Sequence, residues 1–283
     1  MMKLNLDIAE FTRNLQSHNG LRHSDYHRYR RFCTRKLHRL RSSLKIPNGR
    51  HRFRKATFPD KIESARYLQI LILQAERAWA HGITLKSEFS LGESKGLGRL
   101  RHRFIRKFFR AARAAKDAVT LAEKYCDVQT VLEARSYYMW MSGLSLTESG
   151  QYESALKVLA ECAAGYNELV KQSLDVVIPG ASKAYRHRIT DLEPVERVCK
   201  YKLRLMQPSH VQQKVDESSP KSGDDFESVY EMSDEGEGEV EFSSEDSENE
   251  EQEDIKMLSP RNSKPQNQKE GLLGKIGGWW SSK

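Results

Sequence analysis

No stretch of this 283-residue chain stays apolar for the roughly 20 residues that a bilayer-spanning helix needs. The longest run, YLQILILQAERAWA from Tyr67 to Ala80, is broken by Gln69, Gln74, Glu76 and Arg77 and predicts a core helix instead. Cysteine is scarce and scattered: Cys33, Cys126, Cys162 and Cys199 form no CxxC pair, which fits buried, reduced thiols of a cytosolic protein better than a disulfide framework or a zinc site. Asp7, Glu10 and Arg13 stand where a secretory leader needs an uninterrupted apolar core. No pair of alternating runs flanks a hairpin turn, so no β architecture is expected. The glycine-rich LGESKGLG has neither the preceding strand nor the GK[ST] ending of a phosphate loop, and no nucleophile with its base or paired carboxylates stand out. The chain therefore reads as a non-enzyme with no cofactor and no small-molecule substrate. His23 and His27 have an i, i+4 spacing near His18 and Asp25, but Arg22, Arg28 and Arg30 beside them would repel a cation, so no metal site is expected.

What is abundant is positive charge, unevenly placed. The first 206 residues hold 39 Lys and Arg against 20 Asp and Glu, whereas the last 77 hold 8 against 19. A body at +19 thus precedes a tail at −11. About 200 residues can bury a full core as one domain. Asp216 to Asp254, with 18 acids and few scattered apolar residues, cannot offset its chain entropy and reads as disordered. The expected organisation is a helical body over 1–206, a disordered acidic tail over 207–268 and a short apolar Gly/Trp module over 269–283. Ser233, Ser243, Ser244 and Ser247 lie in the acidic contexts favoured by acid-directed kinases, and the tail is either a solubilising spacer or a mimic of RNA that competes for the basic face. The Trp279–Trp280 pair reads as an anchor for a partner or a membrane surface.

Between Arg22 and Lys55 thirteen Lys or Arg face a single acid, Asp25, with Tyr26, Tyr29, Phe32 and Phe53 threaded among them. Tyr26, Tyr29, Cys33, Leu37, Leu40 and Leu44 recur at steps of 3, 4, 4, 3 and 4, the apolar stripe of one helix. Arg28, Arg31, Arg35 and Arg39 keep the same rhythm on another face, with Arg30, Lys36 and Arg41 beside them. Ser24 is the expected N-cap, and Pro47 to Gly49 the stop. A loop carrying Arg50, His51, Arg52, Phe53, Arg54 and Lys55 follows, its His and Phe placed to stack on unpaired bases. Asp60 is the expected cap of the apolar core helix. A second cationic helix starts near Arg99: Leu100, Phe104, Phe108, Ala111, Ala115 and Val119 form its buried stripe, and Arg99, Arg103, Arg106, Arg110 and Arg113 a separate seam. Gly143, Gly150, Tyr152 and Ala155 fall where a tetratricopeptide helix pair keeps its close contacts. Two short helices, around Ser182–Ile189 and Pro194–Met206, complete an all-α body.

A run of arginines can be a solvated face or a nuclear import signal. Three features favour a polyanion: Arg outnumbers Lys ten to three between Arg22 and Lys55, two helices repeat the design, and aromatic residues are interleaved. Without a zinc finger, basic zipper or clear helix-turn-helix, RNA is favoured over DNA. The RNA-facing set is Arg22, Tyr26, Arg28, Tyr29, Arg30, Arg31, Arg35, Lys36, Arg39, Arg41, the loop Arg50 to Lys55, and Arg99, Arg103 and Arg106. The other reading is a helical repeat-like protein-binding adaptor whose basic surface is non-specific.

GLRHSDYHRYRRFCTRKLHRLRSSLK, NGRHRF, RYLQILILQAERAWA and MSGLSLTESGQYESALKVLAECAAGY, in that order, resemble the family of the 68-kDa subunit of the eukaryotic signal recognition particle over roughly residues 5 to 205. The resemblance implies a tetratricopeptide-like RNA-binding domain that grips the particle's 7S RNA near a three-way junction and remodels it with an arginine-rich helix. It further implies a cytoplasmic particle with endoplasmic reticulum association, nucleolar passage during assembly, other particle subunits as partners, and proximity to ribosome, receptor or membrane surface. An acidic tail stands where the family carries its interface for the 72-kDa subunit, so that contact is not expected here.

Overall fold

The computed structural model describes residues 3–46, 58–59, 61–92, 97–175 and 181–206. These form α1 (Ile8–His18), a 3₁₀ turn (Leu21–His23), α2 (Tyr26–Ser43), α3 (Arg66–Leu91), α4 (Leu97–Tyr125), α5 (Val128–Ser149), α6 (Tyr152–Asp175) and α7 (Ala181–Met206). Among the described residues there is no strand; Leu4 makes one isolated parallel bridge with Cys126. The acidic tail, the Gly/Trp module and the Arg50–Lys55 loop lie outside the described residues.

From α2 to α7 each helix packs on the next, the stacking expected of a tetratricopeptide-like body. α3 is buried nearly all round because it serves two neighbours. Leu68, Leu71, Ile72 and Ala75 join Phe104, Phe108 and Ala115 of α4 and Tyr137 of α5 in the main core. Ile70, Leu73 and Ala80 turn the other way and meet Tyr29, Cys33 and Leu37 of α2. The expected stripe of α4 is buried except Val119, which is half-buried while Ala118 beside it is covered. All four cysteines are free and buried, and burial pushes the thiols of Cys126 and Cys162 up to about 11 and about 12.

The α5–α6 hairpin follows its glycines. Gly150 closes α5 at φ +91°, a left-handed position that suits glycine. A Cβ at Gly143 would lie 2.6 Å from Leu159 Cδ2, so the two helices meet at a distance only glycine permits. Gly143→Ala is expected to destabilise the body by about 1–3 kcal/mol through overpacking; a chemical-denaturation midpoint unchanged from the parent would refute it.

Four sequence expectations need correction. Asp25, not Ser24, caps α2: its carboxylate accepts from Arg28 N at 2.8 Å, while Ser24 adopts φ +56°. α3 begins at Arg66, whose N–H reaches Ser64 Oγ at 3.3 Å; Asp60 lies outside the described residues. The two short C-terminal helices are one, with Pro194 inside it. Proline removes a backbone donor and usually breaks a helix, but Tyr185 and Leu192 before it and Cys199 after it are buried and hold both halves in line. Finally, α1 is an element with no counterpart in the expected set. Its buried Ile8, Ala9, Thr12 and Leu15 give the signal, a short stripe following Asp7. α1 packs on α5 and α7, and its Ala9 N–H donates to Glu133 Oε2 at 3.1 Å.

Buried polar groups converge on Glu76 in α3, which is fully buried. Its carboxylate accepts from Gln16 Nε2 of α1 at 2.8 Å, Tyr29 OH of α2 at 2.7 Å and Tyr137 OH of α5 at 2.8 Å. Burial first, and then the Glu76 charge, push the Tyr29 phenol well up, so it stays a donor. Nearby, the buried Arg188 of α7 donates to Thr12 Oγ1 at 2.7 Å.

Candidate nucleic-acid interface

Docking of α2 on α3 through Tyr29, Cys33 and Leu37 leaves the helix's remaining faces to its basic residues. Arg28, Arg31, Arg35 and Arg39 are exposed on α2, as is Arg22 on the preceding turn. Arg30, Lys36 and Arg41 are half-buried. The Lys36 ammonium lies 5.0 Å from the Phe11 ring centroid and 5.8 Å from that of Phe32, so this side chain also ties α2 to α1. Tyr26 is half-buried and meets Trp79 of α3 edge-on at 5.8 Å.

Tyr29 must leave the RNA-facing set. It is fully buried and donates to Glu76, because the apolar stripe and the face pointing at a ligand cannot be the same. The loop Arg50, His51, Arg52, Phe53, Arg54 and Lys55 lies outside the described residues.

On α4 the expected seam is present: Arg99, Arg103, Arg106 and Arg113 are exposed and Arg110 is half-buried. α4 packs on α3, as α2 does. Their approach is tight at Gly82, where a Cβ would sit 3.1 Å from the Phe108 ring. Arg30 of α2 and basic residues of α4 both bear electrostatically on α3. His81 on α3 is pushed down to about 2, by burial first and then by Arg30 of α2 and Lys107 and Arg103 of α4. Lys107 is pushed down to about 7, by burial first and then by Arg110, Arg30, Arg103 and Arg77. Sequence reasoning missed Arg77, His81 and Lys107. The only signal available was that Arg77 and His81 stand one turn apart inside the most apolar helix.

Among the described residues no group of three or more His, Cys, Asp or Glu is arranged to hold a metal ion. No helix of those residues is long and apolar enough to cross a membrane.

The described residues thus define an all-helical stack in which two cationic helices flank a shared apolar one. The comparisons then narrow the class. Residues 21–264 match the model of the family described as RNA-binding signal recognition particle 68. The match runs past Met206 into the acidic segment, further than the residues that carried the resemblance. Curated relatives include the signal recognition particle subunit SRP68 of Dictyostelium discoideum, 32% identical over 209 residues covering 71% of this chain and 33% of that protein. The Drosophila melanogaster subunit is 30% identical over 206 residues, covering 70% and 32%. The solved structure of the SRP68-RBD from Chaetomium thermophilum aligns at a TM-score of 0.59 with 25% identity, covering 75% of this chain and 99% of that one. The chain belongs to the signal recognition particle 68 family, and it spans about a third of the length of the curated relatives it matches.

Proposed function

We propose that this chain is an RNA-binding subunit of the signal recognition particle that grips and shapes the particle's 7S RNA. It thereby supports cotranslational targeting of secretory proteins from the cytoplasm to the endoplasmic reticulum. The observation that carries the reading is that α2 and α4, each with exposed arginines, pack on the same helix α3. Two helices that each present arginines toward one region can neutralise phosphates that a bent RNA brings close together, which a single basic helix cannot do. The family match supports the same reading, since its relatives are particle subunits by name.

The mechanism is architectural. Arg22, Arg28, Arg31, Arg35 and Arg39 would bind phosphates along α2, and Arg99, Arg103 and Arg106 along α4. Guanidinium forks bond two phosphate oxygens at once, which fixes orientation as well as charge. The rigid α3 between them sets the spacing that the RNA must adopt. The full chain should bind a three-way-junction RNA of the 7S type more tightly than an unrelated structured RNA of equal length. If six or more phosphates are engaged, affinity should fall about a thousandfold or more between 50 and 200 mM salt. Weak binding equal for both RNAs would favour the adaptor reading.

A further inference from the structure

α7 is the last helix of the described stack, and it has two apolar faces where its position calls for one. The helices α3 to α6 each pack on the helix before and the helix after, whereas α7 packs mainly on α6. Leu192 and Cys199 turn one face of α7 into the main core. On a second face Pro194, Val198, Tyr201 and Leu205 follow at steps of 4, 3 and 4, the spacing of one helical stripe. Val198 is 49% exposed and Tyr201 60%, and Met206 at the end of the helix is 65% exposed. The other exposed large apolar side chains among the described residues, Leu91, Leu97, Phe109 and Val128, share no such stripe with one another. The end helix of a helical stack needs either a polar outer face or a cover, because an exposed apolar stripe associates with whatever complements it.

Charge says what the cover is. From Arg197 to Met206 the helix holds four basic residues, Arg197, Lys200, Lys202 and Arg204, and no acid. The chain that follows supplies the complement: from Asp224 to Met232 stand four acids, Asp224, Asp225, Glu227 and Glu231, and no base. Within the same nine residues Phe226, Val229 and Tyr230 have the i, i+3, i+4 spacing that puts them on one side of a helical turn. The Gly/Trp module is the other apolar segment of the tail, but Lys269, Lys275 and Lys283 against Glu270 give it the sign of α7 itself. We propose that residues 224–232, which lie outside the described residues, dock in cis on the Val198–Tyr201 face of α7 and cap the stack. Phe226, Val229 and Tyr230 would cover the stripe, and the flanking carboxylates would face the bases of α7, the mode in which an amphipathic segment orders against an apolar surface. Seventeen residues, 207–223, join the two. An unstructured chain of that length spans about 20–25 Å on average, against about 12 Å of helix from Met206 back to Val198. Such a tether holds the segment near the face at about millimolar effective concentration, so a weak contact is enough to keep it there.

The test places a nitroxide on the full chain at Ser228→Cys, a position on the side of the helical turn away from Phe226, Val229 and Tyr230. The four native cysteines are buried, so the label goes to the new thiol. Amide signals of residues 198–206 should be broadened at low salt, and the broadening should be lost in Tyr201→Glu and in Phe226→Ser. Tyr201 is exposed, so its variant should keep the melting temperature of the parent; Phe226→Ser leaves α7 untouched and keeps the test valid if the glutamate perturbs the helix. Three results would overturn the cap. Broadening centred on the arginines of α2 and α4 would show the acidic segment acting as a mimic of RNA, and broadening of no amide in the helical body would leave the stripe uncovered. Broadening seen in nitroxide-free, isotope-labelled chains mixed with labelled ones would make a second copy the occupant. A nitroxide at Gly278→Cys that broadens residues 198–206 in place of the one at 228 would likewise overturn it, in favour of the Gly/Trp module.

Discussion

Replacing Arg31, Arg35 and Arg39 together with glutamine is expected to weaken junction-RNA affinity by about 100-fold or more near 0.15 M salt. It should also make the slope of log affinity against log salt shallower by about 2 to 3, one counterion-release increment for each lost phosphate contact. The three side chains are exposed and stand at steps of four along α2, so they line one seam. Exposed substitutions of this kind change stability by no more than about 0.5 kcal/mol each, so the melting temperature should hold and the loss is one of binding. A matched control removes the same charge elsewhere: Lys157 and Lys171 on α6 and Lys200 on α7, all exposed, changed together to glutamine. If both triple variants lose affinity equally, net charge and not this seam binds RNA, and the adaptor reading gains.

The second large effect is on the fold that aims the seam. Glu76→Ala is expected to cost about 3–5 kcal/mol, because it removes a buried carboxylate and orphans the donors of Gln16, Tyr29 and Tyr137 at once. That is a large share of the 5–15 kcal/mol by which a domain is ordinarily stable. Glu76→Gln keeps one acceptor oxygen and should cost less, and Tyr29→Phe, which loses one bond, about 1 kcal/mol. Urea denaturation measures all three; a Glu76→Ala loss under 1 kcal/mol would show that the network is incidental. Because Tyr29 sits on the arginine-bearing helix, the same network positions Arg28 and Arg31 on either side of it.

The two effects separate binding from framework, and the separation tracks what could be read from the chain alone. The stripe Tyr29, Cys33 and Leu37 is set by helical spacing, and it is buried. The same holds for Phe104, Phe108 and Ala115, and for the glycines of the α5–α6 hairpin. Local rules were less dependable where two residues competed for one role. Ser24 and Asp25 are both good caps, and the chain uses Asp25 because Ser24 is spent on a left-handed turn. Pro194 carries a strong break signal that packing on both sides overrides.

By itself, then, the order of residues determined that this is a helical body with two arginine seams, because side-chain spacing along one helix decides which residues share a face, and it carried the likeness to the signal recognition particle 68 family. Only the tertiary structure decided that the two cationic helices share α3 as a neighbour. Arg30 and Lys107 stand 77 positions apart in the chain, yet both lower the His81 imidazole's basicity through their charges because α2 and α4 pack on α3. Nothing in the spacing within α2 or within α4 specifies that crossing. It follows from how the apolar faces of α3 divide between two neighbours, a property of packed surfaces and not of any one helix.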